Sequence, residues 1–490
     1  MPANVELIAY ADRLGGDLHG LHRLLSGPLQ GLFGGVHVLP FYRPHDGADA
    51  GFDPQDHTEV DPRLGSWDDI AALSAEYRVM ADMIVNHVSS GSPQFQDWLA
   101  KGGASQFAGM FLTYGTAFPG GATEEMLLRL YRPRPGLPFT PYQLGNGSKA
   151  LVWTTFTPQQ IDVDVSHPAT RAYLRRILDR LAGARVAQVR LDAVGYAVKT
   201  PGLTSFMTPE TFKFIGEVTG WCHDRDLGVL VEVHSHYLHQ VEIARQVDYV
   251  YDFALPPLIL HALTAADAGP LLTWQGLRPA NAVTVLDTHD GIGVIDVGPD
   301  ATDRARPGLL SQDQLARLVE AIHGNSGGTS RQATGAAASN VDLYQVNCTF
   351  YDALGRDDDR YLLARALQFW TPGIPQVYYV GLLAGGNDME LLARTHVGRD
   401  VNRHHYTPAE IEDALARPIV QALCRLIRFR NTHPAFEGSL TCSGNAANIE
   451  MSWARDGDKA VLRANLANGS AEVTWTENGT RRSAPLGALP

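Results

Sequence analysis

Cysteine is scarce in this chain of 490 residues: there are four, Cys222, Cys348, Cys424 and Cys442, and none forms a C-x-x-C pair. Neither a disulfide framework nor a zinc ribbon is therefore expected, and a reducing compartment suits the sequence best. Positive charge is also in deficit. With 40 Lys and Arg against 53 Asp and Glu, the formal net charge is -13, which argues against nucleic acid or an anionic membrane as the main partner. No run is long and apolar enough to span a bilayer. The opening residues Met1-Pro2-Ala3-Asn4-Val5-Glu6-Leu7 carry no basic stretch and charge follows at Asp12 and Arg13, so no signal peptide is read there and a cytoplasmic protein is expected. The glycine-rich runs lack the strand-then-helix context of a P-loop or dinucleotide fingerprint, so no organic cofactor is implied.

What is present is a repeated alternation of short apolar strands and helical patterns. The composition, 44% hydrophobic and 19% charged, is that of a globular chain. Candidate strands run over Val5 to Ala9, Gly35 to Leu39, Val79 to Asn86, Val186 to Val194, Val229 to His234, Tyr249 to Phe253, Ala282 to Leu286 and Ile374 to Tyr379. Strand followed by helix, repeated in this way, predicts a parallel sheet, and eight units predict its closure into a (β/α)8 TIM barrel with functional residues at the C-terminal ends of the strands. Ser166 and Pro168 open one helix that Gly183 ends, and Thr208-Pro209 opens the next; the pair brackets the strand that carries Asp192. Two intervals are too long for ordinary connections. They predict two inserted subdomains, at 88–165 and 291–358, within a catalytic barrel made of 1–87, 166–290 and 359–435. Alternating Ile449, Met451 and Trp453, with hairpin signals at Asp456-Gly457, Asn468-Gly469 and Asn478-Gly479, predict a small C-terminal β domain at 436–490.

Three acidic residues end three of these strands: Asp192, Glu232 and Asp290. The period of two places Arg190 and Asp192 on one face of their strand, where a guanidinium would keep the carboxylate ionised. Alone, that pair reads equally well as a structural ion pair. Together, the three acids fit glycoside cleavage with retention, in which one carboxylate is the nucleophile and another the acid/base, about 5 Å apart.

In order along the chain stand Asp82-Met83-Ile84-Val85-Asn86-His87, Arg190-Leu191-Asp192-Ala193-Val194, Glu232-Val233-His234 and His289-Asp290. In these four motifs the sequence resembles glycoside hydrolase family 13, the alpha-amylase superfamily. Four further stretches resemble its sucrose-cleaving phosphorylase branch: Tyr10-Ala11-Asp12-Arg13-Leu14, Gly47-Ala48-Asp49-Ala50-Gly51-Phe52, the Arg-Pro-rich run at 132–139, and Asp342-Leu343-Tyr344-Gln345. The resemblance implies reversible phosphorolysis of sucrose by inorganic phosphate, giving alpha-D-glucose 1-phosphate and D-fructose with retention. It implies Asp192 as nucleophile, Glu232 as acid/base, a role that needs its proton held near neutral pH, and Asp290 as transition-state stabiliser. Around the glucosyl group it implies Asp49, Phe52, His87, Phe156, Gln160, Arg190, His289 and Arg399. For fructose or phosphate it implies Arg134, Tyr131, Tyr196, His234, Asp342, Leu343 and Gln345. Asn86 stands where many amylases bind calcium, but no ligand set completing an oxygen cage is read in the sequence, and no metal is expected. The family further suggests a homodimer. Alternatives are a phosphorylase with another acceptor (sucrose 6-phosphate or glucosylglycerol), a sucrose hydrolase or transglucosidase, and a non-catalytic carbohydrate-binding protein on the same fold.

Overall fold

A computed structural model describes residues 4–46, 49–133, 136–300, 303, 305–337 and 345–490. Eight parallel strands close into a barrel: β1 (Glu6–Ala9), β2 (Gly35–Val38), β3 (Arg78–Ile84), β4 (Gln188–Asp192), β5 (Gly228–Val231), β6 (Tyr249–Asp252), β7 (Ala282–Thr284) and β8 (Ile374–Tyr378). Each pairs in parallel with the next, and β8 closes on β1 through Glu6 opposite Gln376. All eight coincide with the runs expected from sequence, each trimmed by a residue or more at one or both ends. Both faces of these strands are covered, by helices outside and by the packed interior within, and their apolar residues are interrupted by buried polar ones, Glu6, His37, Asp82, Gln188, Arg190 and Gln376 among them.

The helices on either side of β4 show how local chemistry sets the ends. Pro168–Gly183 turns Tyr173, Leu174, Ile177, Leu178 and Leu181 inward; its N-cap is His167, whose ring accepts from Ala169 N, whereas Ser166 Oγ donates to Asp164 Oδ1. Pro209–His223 is capped by Thr208, as its sequence leads one to expect. Proline at the first helical position costs nothing there, since that N–H has no partner in the helix.

Between β3 and Pro168 lie the helix Pro93–Lys101 and a hairpin, Phe139–Gln143 with Lys149–Trp153, above a small separate core of Ala117, Phe118, Leu130 and Trp153. The short strand His87–Ser89 continues past β3 and pairs antiparallel with Gln160–Asp162, tying this segment to the barrel rim. Between β7 and β8 lie Gln312–Asn325 and a second helix, Thr329–Ala337, in the Ala-rich stretch. Arg134, Asp342 and Leu343 lie outside the described residues.

The C-terminal sheet is antiparallel, five strands in chain order from Ser439–Gly444 to Thr480–Pro485. Two of the three hairpin signals are two-residue turns with both residues at positive φ: Asp456 and Gly457 at 49° and 98°, Asn478 and Gly479 at 51° and 74°. The third differs. Asn468-Gly469 sits in a longer loop, with only Gly469 in the left-handed region. The sheet docks by reciprocal indole bonds, Trp453 Nε1 donating to Trp370 O at 2.7 Å and Trp370 Nε1 to Ala460 O at 3.2 Å. Among the described residues no helix is long and apolar enough to cross a membrane.

Candidate active site

At the C-terminal end of the barrel a cavity of about 190 Å³ is lined by Asp192, Glu232 and Asp290 together with Asp49, Phe52, His87, Phe156, Gln160, Tyr196, His234, His289, Gln345 and Arg399. Its acids come from the ends of β4, β5 and β7, so the barrel's closure brings together residues that are far apart in the chain. Tyr131 is not on this wall. It stacks on Phe206 at 4.5 Å, behind Tyr196, and faces an adjoining cleft.

Arg190 organises the floor. It is buried, on the same face of β4 as Asp192, and donates from Nη1 to Asp192 Oδ1 at 2.8 Å and to Asp82 Oδ1 at 2.5 Å; its Nη2 lies 3.9 Å from Glu232 Oε2. Asp82 is anchored in turn by His37 Nε2 at 2.9 Å. Burial works against the Asp82 charge, but His37 and Arg190 outweigh it and hold that carboxyl at about 2. For Asp192 the sequence leads one to expect an ionised group beside Arg190, and here the structure differs. Burial pushes the Asp192 carboxyl well above the ordinary carboxylate value; Arg190 opposes the rise, and Glu232 and Asp82 add to it. Burial is the main cause, and one guanidinium divided among three carboxylates does not offset it.

Ala193, directly after Asp192, has φ 53°, a left-handed conformation that is uncommon for a residue with a Cβ. That turn aims its N–H at Glu232 Oε2, 3.3 Å away, so the backbone itself links the two carboxylates. Asp290 is held from the other side: Arg399 Nη1 donates to it at 2.5 Å while Nη2 reaches Asp49 Oδ1 at 3.0 Å. Burial would raise Asp290, yet its cationic neighbours keep it well below the carboxylate range. His289 is itself pushed down to about 3 by burial and is neutral near pH 7, so that stabilisation comes from Arg399, with His234 and Arg403.

The glucosyl side has an aromatic wall. Phe52 stacks on His289 at 4.3 Å, and Phe156 meets His87 edge-on at 5.6 Å. The ring of His87 is bonded through Nε2 to Phe52 O at 2.9 Å, so donation to a sugar hydroxyl involves giving up or sharing that bond. Gln160 Oε1 has no partner among the described residues and faces a site where a hydroxyl would supply one. On the acceptor side Gln345 Oε1 accepts from Gly291 N at 3.3 Å.

Arg403, Asn347, Phe206, Asp296 and Lys199 were not singled out from the sequence. Arg403 is fully buried, donates to His289 O at 2.9 Å and lies 3.8 Å from Asp49; it stands in the same short stretch as Arg399, which was its only signal. Lys199 bears on the metal question. The fold does assemble oxygens around Asn86, namely Asp162 and the Tyr196 carbonyl, and the Lys199 ammonium sits among them, 2.8 Å from Asn86 Oδ1 and 2.7 Å from Asp162 Oδ2, with a further bond to Tyr196 O. The cation is covalent. Among the described residues the donor atoms of Glu232, His234 and Asp290 also lie within 4.8 Å of one another, but these are the acids and imidazole of the cavity wall, already engaged by Arg190, Asp296 and Arg399. Lys199→Met is expected to destabilise the protein by about 3–5 kcal/mol, because Asp162, though still hydrogen-bonded by Thr155, would be left buried without its counter-charge. A thermal denaturation midpoint equal to that of the parent would show that the pair does not hold the inserted segment to the barrel.

A model of the alpha-amylase catalytic domain matches residues 8–240. The chain is 58% identical to a sucrose phosphorylase of Agrobacterium vitis, covering 97% of both chains, and 54% identical to one of Bifidobacterium adolescentis, covering 100% of this chain and 99% of the other. The chain belongs to glycoside hydrolase family 13, the alpha-amylase superfamily. A crystal structure of sucrose 6F-phosphate phosphorylase from Thermoanaerobacter thermosaccharolyticum superposes with a TM-score of 0.91 at 35% identity over 99% of each chain.

Proposed function

We propose that this enzyme is a sucrose phosphorylase, converting sucrose and inorganic phosphate reversibly to alpha-D-glucose 1-phosphate and D-fructose. The observation that carries the reading is the placement of Asp192 and Glu232 around one guanidinium on the floor of a sugar-sized cavity, in a chain more than half identical to two sucrose phosphorylases.

Asp192 attacks the anomeric carbon as Glu232 protonates the departing fructosyl oxygen. Phosphate then attacks the glucosyl-enzyme while Glu232 takes back a proton. Attack requires Asp192 to be ionised, which Arg190 favours and burial opposes. Asp290, ionised by Arg399, faces the positive charge that develops on the sugar ring. Asp49 and Arg399 grip the far hydroxyls, with Phe52 and Phe156 beside the ring. His234, Tyr196 and Gln345 serve the acceptor side, to which Arg134, Tyr131, Asp342 and Leu343 are assigned from the sequence.

Two inversions give retention. Proton NMR of fresh product from sucrose and phosphate is expected to show the alpha anomer of glucose 1-phosphate first, and initial beta anomer would rule out the covalent route. Offering sucrose 6-phosphate and glucosylglycerol in competition separates this activity from its neighbours. The same reading places the enzyme in the cytoplasm, in keeping with four unpaired thiols, three of them buried, and as a homodimer, which its mass in solution will test.

A further inference from the structure

Asp296 lies in a short turn, Ile295–Val297, beyond β7, and none of its surface is exposed. Its carboxylate is fully used: Oδ2 accepts from His234 Nδ1 at 2.9 Å, and Oδ1 accepts from Ser235 N at 3.1 Å and Gln240 Nε2 at 3.0 Å. The His234 ring is clamped flat on Phe253, centroids 3.8 Å apart. Gly293 makes the approach possible: a Cβ there would come within 2.3 Å of Asp296 Oδ2 and 3.0 Å of His234 Nδ1. The other ring nitrogen, Nε2, lies 3.8 Å from Glu232 Oε1 on the cavity wall.

We propose that Asp296 is a positioning residue for the phosphate step, fixing the His234 ring beside Glu232 with Nε2 turned to the acceptor side, where a charged donor favours phosphate over water as the second acceptor. This rests on the phosphorylase reading above. A carboxylate can only accept, so Nδ1 carries a proton, and a second proton on Nε2 makes the ring a charged donor toward the acceptor side. Burial opposes that charge, but Asp296 outweighs it, with Glu232 and Asp290 adding to its effect, and His234 is held above the ordinary imidazole value. The other charges near are Arg190 behind Glu232 and Arg399 on Asp290. Phosphate entering among carboxylates needs such a charge. Water does not.

The test uses alpha-D-glucosyl fluoride, whose departure needs no protonation, and measures glucose against glucose 1-phosphate over a phosphate series at several pH values. Asp296→Asn keeps the shape of the side chain and withdraws the charge; its single amide oxygen can accept from the ring or from Ser235 N and Gln240 Nε2, not from all three. The phosphate concentration giving equal products is expected to rise about tenfold, the difference between a charged and a neutral donor. Because the His234 cation is lost as pH rises through its raised pKa, the alkaline fall in phosphate transfer is expected to begin at lower pH in Asp296→Asn than in the parent. His234→Gln should remove that fall apart from the titration of phosphate itself, and adding Asp296→Asn to it should change nothing more. An unchanged product ratio in folded Asp296→Asn, or additive losses in the double variant, would overturn the proposal. Should Asp296→Asn fail to fold, coincident pH profiles for the parent and His234→Gln would overturn it equally. A parent that forms no glucose 1-phosphate at all would sink the phosphorylase reading instead.

Discussion

Asp192→Asn is expected to lower turnover of sucrose by about 10⁴-fold or more while the protein stays folded, the scale on which loss of a covalent nucleophile is felt. An amide cannot form the glucosyl ester. It can still accept the hydrogen bond from Arg190 Nη1, now 2.8 Å from Asp192 Oδ1, so the floor of the cavity should keep its shape. The thermal midpoint should therefore change little. Sucrose should still bind, and calorimetry with the inactive variant would measure it. Mass spectrometry after rapid mixing with glucosyl fluoride should find the covalent adduct on the parent and none on the variant. Residual activity within tenfold of the parent, or an adduct on another residue, would end the assignment of Asp192.

Glu232→Gln should show the second large effect, one that depends on the leaving group. With sucrose, whose fructosyl oxygen leaves poorly without a proton, the rate of glucosyl transfer is expected to fall about 10²–10⁴-fold. With glucosyl fluoride the formation of the glucosyl-enzyme should fall far less. Stopped-flow release of fructose and of fluoride compares the two directly. Equal losses would mean that Glu232 positions the sugar or the Ala193 turn, whose N–H lies 3.3 Å from Glu232 Oε2, and does not act as an acid.

The barrel was legible because each strand is a short, mainly apolar run between helical patterns, and the acids were legible because they end strands. Arg190 and Asp192 could be placed together for a local reason, the strand period of two. What escaped the sequence depends on encounters across the fold. The raised carboxyl of Asp192 follows from burial on the barrel floor, which Arg190, shared with Asp82, 110 positions earlier in the chain, and with Glu232, does not offset. Asp296 reaches His234 across 62 residues and carries no motif of its own. Lys199 looks like any lysine in a polar loop until the fold closes it over Asn86 and Asp162.

That lysine also decides which solutions the enzyme can work in. Phosphate binds calcium avidly, and an enzyme that consumes phosphate would have to defend a loosely held ion against its own substrate. An ammonium carried on the peptide chain cannot be sequestered, exchanged or diluted away. The junction between barrel and inserted segment is thus expected to be indifferent to chelators and to the phosphate concentration that drives the reaction forward, which a thermal midpoint unchanged by a chelator would check.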